Sequence, residues 1–333
     1  MQLDTLPAPS VIELTDNPLI KQIIDKKYDS IVGLESADNQ LMFLAMDTAK
    51  NLHGYRIDTS LSHIEKRFTT QEQAIHYYRF NNSIYAFPAH RNYAFDIFNM
   101  QDTAYLTGAA SNGFGFREEN PLYFYIQPFT RQPIATAAHQ YAFLYHYGIW
   151  KSKQLNKLDE NIFQYTDSKG QPQRIGHYSD PILSNQYLTD RDMVIGVDSN
   201  RYVYFAFTLL DTLYKMDLQG QRIAAGRIPH LNFTAYPKDR RSDIAYERQY
   251  LSQSTVNKRI LLLNDYIVLI SKLPQKTIVE KSGYAYTVYT KNLQPLYYDT
   301  IRYNTPPELF QVLGNRFCFF TPQLKQWVSY VIQ

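Results

Sequence analysis

Strand-length apolar runs recur along the chain, polar turns precede them, and an Asp-x-x-Gly-Gln turn follows more than one of them. Together these predict an all-β fold: a six-bladed β-propeller of four-stranded antiparallel blades, the last closed by an N-terminal strand. The runs include Leu41-Met42-Phe43-Leu44, Ile84-Tyr85-Ala86-Phe87, Tyr141-Ala142-Phe143-Leu144, Tyr202-Val203-Tyr204-Phe205-Ala206-Phe207, Ile267-Val268-Leu269-Ile270 and Phe317-Cys318-Phe319-Phe320. A short unbroken apolar run fits a strand covered on both faces, and aromatic and β-branched enrichment favours strand over buried helix. Taken from Leu41, Ser83, Tyr141, Tyr202, Tyr266 and Arg316, the units are 42, 58, 61, 64 and 50 residues apart, a mean of 55, so six nearly fill the 333 residues.

The elements follow in order. Residues 1–9 read as a polar, Pro-containing tether, and 10–333 as one domain. The first clear unit starts near Ile31, leaving one strand before it, at 11–14 or 19–24. The last unit ends at Ile332 with only three strands, so the leftover strand completes it and joins both chain ends in one blade. In the third unit, 122–126 and 134–137 compete for the inner strand. The fourth unit is the clearest: 193–198, 201–207, 212–217 and 221–227. The turn Asp217-Leu218-Gln219-Gly220-Gln221 repeats Asp167-Ser168-Lys169-Gly170-Gln171, with Asn292-Leu293-Gln294-Pro295 as a looser copy. An opening Asp bonds the backbone two residues on, and Gly supplies the positive φ at the exit. Five or seven blades, a pair of β-sandwiches and a mixed α+β fold are the competing architectures.

Composition narrows the function. Fifty aromatics (29 Tyr, 19 Phe, 2 Trp) exclude a disordered chain. One Cys excludes a disulfide scaffold and a cysteine-ligated zinc site. A net charge of +3 offers no concentrated basic surface for nucleic acid. No apolar stretch approaches the roughly 20 residues that span a bilayer, and the first ten residues lack the pattern of a signal peptide. No His-Glu-x-x-His, Gly-x-Ser-x-Gly or Walker motif occurs. Catalytic residues, metal ligands and cofactors are therefore not assigned, and Cys318, within an apolar run, reads as inert core.

Strand order concentrates the long connections at one end of the units: 109–120, 177–190, 229–253 and 272–283, with the shorter 47–51 and 88–92. Long loops on one rim of a rigid scaffold are where binding usually sits. Candidate binding residues there are His90, Arg91, Phe114, Phe116, Arg117, His177, Tyr187, Asp190, Arg191, His230, Tyr236, Arg240, Arg241 and Tyr246. Each has a plainer explanation as well: a connector for 113–119, a solvated loop for 238–243, a strand-capping ion pair for 190–192, and chance for the histidines.

The pattern of turn, apolar strand, strand and Asp-x-x-Gly-Gln over 194–221 resembles six-bladed propellers of the NHL/TolB-like kind. The high Tyr content, irregular units and tether-like start resemble the Bacteroidetes lipoprotein propellers of unknown function. That resemblance implies export to the periplasm or the outer membrane, an N-terminal lipid anchor as the sole link to a membrane, and a binding or scaffolding role; a cytoplasmic location is the alternative. The favoured function is a monomeric, non-catalytic module that binds a protein, peptide or glycan on its long-connection rim. A hydrolase or lactonase with a divalent metal held by acidic residues such as Glu35, Asp192 and Glu308 competes with it, as does a structural domain of a larger assembly.

Overall fold

The computed structural model describes residues 3–13, 28–37, 40–47, 52–57, 64–70, 74–80, 83–88, 93–96, 103–106, 131–137, 140–146, 161–167, 169, 171–177, 193–198, 200–234, 237, 244–275, 282–304, 307–321 and 326–333. They form an N-terminal strand, β1 (Ser10–Glu13), followed by antiparallel meanders. The first is β2 (Tyr28–Ala37), β3 (Gln40–Asp47), β4 (Leu52–Ile57) and β5 (Ile64–Thr70). The second is β6 (Ala74–Phe80), β7 (Ser83–Pro88), β8 (Tyr93–Asp96) and β9 (Thr103–Leu106). Next come β10 (Arg131–Ala137), β11 (Gln140–His146), β12 (Asn161–Thr166) and β13 (Pro172–His177). The fourth is β14 (Met193–Val197), β15 (Val203–Phe207), β16 (Thr212–Met216) and β17 (Arg222–Arg227). A helix, α1 (Ile244–Gln253), precedes the fifth: β18 (Val256–Leu262), β19 (Tyr266–Lys272), β20 (Ser282–Thr290) and β21 (Pro295–Tyr303). The chain ends with β22 (Glu308–Leu313), β23 (Arg316–Thr321) and β24 (Gln326–Val331). No helix among the described residues is long and apolar enough to cross a membrane.

The chain divides into two compact units. In one, residues 6–105 with 305–333, β1 pairs antiparallel with β24, Ser10 opposite Ser329 and Glu13 opposite Gln326. Both ends of the chain thus share one sheet, β1-β24-β23-β22, as the leftover-strand argument requires. Ring stacking steadies that sheet, with Phe317 and Tyr330 5.0 Å apart at 12°. The single cysteine, Cys318, is buried there.

The other unit is residues 1–5 with 106–304. Its three meanders stack in chain order, and the alternation along β14 and β15 shows how. Met193, Ile195, Val203, Phe205 and Phe207 pack with Leu144, Ile162, Phe163 and Ile175 on the β10–β13 side. Val194, Tyr204 and Ala206 pack with Ile260, Ile267, Leu269, Ala285 and Tyr289 on the β18–β21 side. Both faces of β15 are therefore dry, which is why its sequence does not alternate. Phe205 meets Phe163 edge-on at 5.1 Å and stacks on Tyr214 at 5.1 Å. Burying each such ring contributes roughly 2–3 kcal/mol.

The repeated turns work as the sequence suggests. Asp217 Oδ1 accepts the amides of Gln219 (3.0 Å) and Gln221 (2.8 Å). Asp167 Oδ1 does the same for Lys169 (2.9 Å) and Gln171 (2.8 Å). The Gln171 amide above all holds the Asp167 carboxyl below the usual carboxylate range, with the Gln173 and Lys169 bonds helping and desolvation opposing. The looser copy is shifted from the sequence expectation: the turn opens at Thr290, two residues before Asn292, and Thr290 Oγ1 takes the aspartate's place, bonding the Asn292 and Gln294 amides at 3.3 and 3.2 Å. Within the segment expected to be a tether, Leu6 is buried. Asp4 forms a parallel bridge to Tyr297, its carbonyl accepting the Tyr298 amide at 2.9 Å.

Buried phenols carry a pH consequence. Tyr204 donates to Asp198 Oδ2 at 3.0 Å and Tyr289 to the Arg227 carbonyl at 3.3 Å. Burial pushes both hydroxyls far above the usual tyrosine range, and the Asp198 charge adds to the effect at Tyr204. A raised folded pKa favours the protonated fold. The stability is therefore full below about pH 10, the unfolded tyrosine value, and declines above it. Thermal melts from pH 8 upward are expected to be level to that point and then fall, with tyrosinate absorbance appearing on unfolding; a melting temperature unchanged to pH 11.5 would contradict this.

Candidate functional site: the long-connection end

A meander returns its first and third turns to one end and sends its second turn and its exit to the other. In β14–β17 the first end carries the tight Asp198 and Asp217 turns. The second carries 208–211 and, after β17, 228–234 and 244–255. In β18–β21, 263–265 and 291–294 lie at the short end, and 273–275 at the long one. Function is therefore sought where 208–211, 228–234, α1 and 271–275 meet.

The helix α1 was not foreseen in the loop expected over 229–253. Its inward stripe is Tyr246, Tyr250 and Leu251, which seat on buried Leu209 and Val256. The two tyrosines lie one turn apart with centroids at 6.1 Å and 30° between planes. Tyr250 donates its hydroxyl to the Thr234 carbonyl at 2.9 Å, tying the helix to the incoming chain. The helix has no basic residue in its last turn. Its C-terminal carbonyls are met from outside: Ser252 O accepts the Gln275 amide at 3.1 Å and lies 3.5 Å from Lys272 Nζ. A cation there complements the helix dipole, while burial holds the Lys272 ammonium below its ordinary pKa. Of the other described side chains of α1, those of Ala245, Gln249 and Gln253 are exposed.

Beneath the helix one side chain locks the strands together. Asn257, 2% exposed, donates from Nδ2 to the carbonyls of Phe207 (2.7 Å) and Leu210 (2.9 Å) and accepts from Ser271 Oγ (2.7 Å). Its amide bonds Thr208 O at 2.8 Å. The entry of β18 is thereby fastened to the 208–211 turn, so that α1 rests on a rigid base. Nothing in the sequence marks this residue, because its partners are main-chain carbonyls about 50 positions away.

Of the predicted rim residues, His90, Arg91, Phe114, Phe116, Arg117, Tyr187, Asp190, Arg191, Tyr236, Arg240 and Arg241 lie outside the described residues. The backbone of His177 ends β13, opposite Asn161. His230 is exposed at a positive φ of 58°, its ring 5.0 Å from that of Tyr298 on β21. It thus sits against an outer strand. Tyr246, on α1 itself, is half-buried against Leu209 and Val256. Among the metal candidates, Glu308 begins β22, Glu35 falls near the opposite end of β2, and Asp192 lies outside the described residues. Among the described residues no group of His, Cys, Asp or Glu is arranged to hold a metal ion. Among the described residues the rim offers the uncharged amides of α1 beside aromatic carbon, together with the exposed Arg227–Asp211 ion pair (3.3 Å) and Lys272.

No family model and no curated protein matches the chain. Among solved structures it is similar to a member of the DUF4221 family from Bacteroides vulgatus, with a TM-score of 0.60 and 9% identity over 100% of this chain and 98% of that one. It also aligns with virginiamycin B lyase from Staphylococcus aureus at a TM-score of 0.40 and 9% identity, covering 98% and 99% of the two chains. BamB from Moraxella catarrhalis aligns at 0.35 and 10%, covering 92% and 84%. The first likeness is one of fold: an all-β chain alike from end to end.

Proposed function

We propose that the chain is a six-bladed β-propeller of one domain, closed by β1, that binds a protein, peptide or glycan on its long-connection end and catalyses no reaction. The stacking of β10–β21 as three meanders and the sharing of one sheet by both chain ends support the architecture. The observation that carries the function is α1, a helix built onto the long-connection end and anchored by Tyr246, Tyr250 and the Asn257 lock. Its exposed Ala245, Gln249 and Gln253 are uncharged. Amide side chains of that kind meet peptide groups or sugar hydroxyls by hydrogen bonding without selecting for charge. The chain's resemblance to exported lipoprotein propellers supports a periplasmic or outer-membrane-attached location, with the membrane reached through an upstream lipid anchor.

The test is photocrosslinking in the cell envelope. A benzophenone amino acid is placed at Gln249 on α1 or at Gln219 in the opposite turn, both exposed. The expected result is a discrete adduct, protein or saccharide, from position 249 and none from 219. Adducts from 219 alone, or none from either, would overturn the proposal.

A further inference from the structure

The start of the chain lies along an outer strand, and hydrogen bonding fixes its direction there. Asp4 makes a parallel bridge to Tyr297, and its carbonyl accepts the Tyr298 amide at 2.9 Å. Both residues belong to the same compact unit. β21 begins at Pro295, directly after the 291–294 turn, and runs from there toward the long-connection end. A parallel partner runs the same way. Followed backward from Asp4, the chain is therefore headed for the 291–294 turn and away from α1.

That turn belongs to an end shared by two meanders. Lys215, near the end of β16, donates from Nζ to the Lys291 carbonyl at 3.1 Å. The Nζ atoms of Lys215 and Lys291 each lie 5.6 Å from the ring centre of Tyr204, whose hydroxyl is held by Asp198 of the neighbouring short turn. The short turns of β14–β17 and β18–β21 thus lie together, and α1 lies at the other end of the strands. Strands of five residues or more, at about 3.3 Å per residue, set the two ends roughly 17 Å or more apart. The segment after Asp4 is docked as well: Leu6 is 7% exposed, and Ser10 opens β1. Whatever length of leash lies upstream, the point at which it meets the domain is beside the short turns.

We infer that residues 3–6 are an attachment strap that carries the domain by its short-turn end. A lipid anchor upstream would set that end toward the bilayer and turn α1 and the long connections toward soluble partners. The inference rests on the proposed envelope location and binding end, and adds which way the molecule faces. An antiparallel start would do the reverse, placing the anchor beside α1, where bilayer and partner would compete for one surface.

The experiment supplies the anchor in vitro. Gln2→Cys in the full chain is coupled to a maleimide phospholipid in phosphatidylglycerol–phosphatidylethanolamine vesicles bearing nitroxide headgroups; the native Cys318 is buried. A fluorescent amino acid is incorporated at Asn292 in the short turn or at Gln249 on α1, both exposed. Nitroxide quenching is short-ranged, so with ends roughly 17 Å apart it is expected to be at least about twofold greater at 292 than at 249. A Gly-Ser insert of about ten residues between positions 2 and 3 adds roughly 17 Å of flexible reach and is expected to abolish the contrast. Equal quenching at the two positions without the insert, or more at 249, would overturn the inference. So would a contrast that survives the insert, because the cause would then be direct lipid contact by the short turns and not the strap. No partner is present in this assay, so its failure is distinct from a failure of partner capture at position 249 in the envelope.

Discussion

Replacing Asn257 with Ala is expected to lower the unfolding free energy by about 3 kcal/mol, measured by urea denaturation. Two main-chain carbonyls, Phe207 and Leu210, lose their Nδ2 donor, and the Ser271 hydroxyl loses its acceptor. The Phe207 carbonyl keeps the Leu210 amide at 3.2 Å, while the half-buried Leu210 carbonyl and the buried Ser271 hydroxyl lose the bonds that Asn257 supplies, at about 1–3 kcal/mol apiece. The full sum is not reached, because a water can enter the space vacated. Asn257→Asp should do no better, since a carboxylate cannot donate to the carbonyls and is itself costly to bury. Ser271→Ala removes one partner only and should cost about 1 kcal/mol. The loss also reaches the proposed binding end. Val256 and Leu209, on which α1 rests, flank the bonds that Asn257 makes, so the α1 amides should exchange faster with solvent in the variant. A stability change below about 1 kcal/mol would show that the lock contributes little.

Gly220→Ala is expected to cost about as much, for a backbone reason. Gly220 sits at φ 87°, which L side chains rarely adopt, and a Cβ there would lie 2.4 Å from the Gly176 nitrogen and 3.2 Å from its Cα. Strain at such a φ amounts to about 1–2 kcal/mol. The clash adds roughly 1–3 more, because main chain cannot swing aside as a flexible side chain does. Gly176→Ala offers the contrast: its φ is also positive, at 73°, but the added Cβ would meet the end of the Met216 side chain at 2.8 Å, which can move. The predicted order is Gly220→Ala more damaging than Gly176→Ala, read from the two melting temperatures; the reverse order would refute the close-approach explanation. In β20–β21 the same turn position is held by Leu293 at φ 65°. Its side chain is buried among Val194, Tyr204 and Tyr289, and that burial offsets the strain.

The parts of the fold that were legible in the sequence are those specified locally. The meander expected over 193–198, 201–207, 212–217 and 221–227 is found as β14–β17 within a residue or two at each boundary. An unbroken apolar run means two buried faces, and an Asp with a Gly three residues on means one particular turn. The return of the chain's start to its end was also legible, because a three-stranded last unit needs a fourth strand; Ser10–Glu13 supplies it.

What escaped depends on tertiary contact. Among its described side chains α1 turns Tyr246, Tyr250 and Leu251 inward, too thin a stripe to stand out within a polar connection. The Asp4 bridge to Tyr297 uses main chain alone, so no side-chain pattern announces it. The convergence of Lys215 on β16 and Lys291 in the 291–294 turn on Tyr204 joins positions 76 residues apart. At the binding end, His230 illustrates the limit of placing residues by loop alone: its ring lies on the outer strand residue Tyr298, a contact set by φ 58° at its own backbone.

The central claim is that both ends of the chain complete one sheet, β1-β24-β23-β22, and that β1 holds it together. Hydrogen exchange on the full chain, compared with a variant lacking residues 1–13, tests it most directly. The account predicts that β22, β23 and β24 amides, Cys318 and Ser329 among them, lose most of their protection when β1 is removed, with a lower melting temperature for the whole chain. Unchanged protection in these strands, with an unchanged melting temperature, would contradict it.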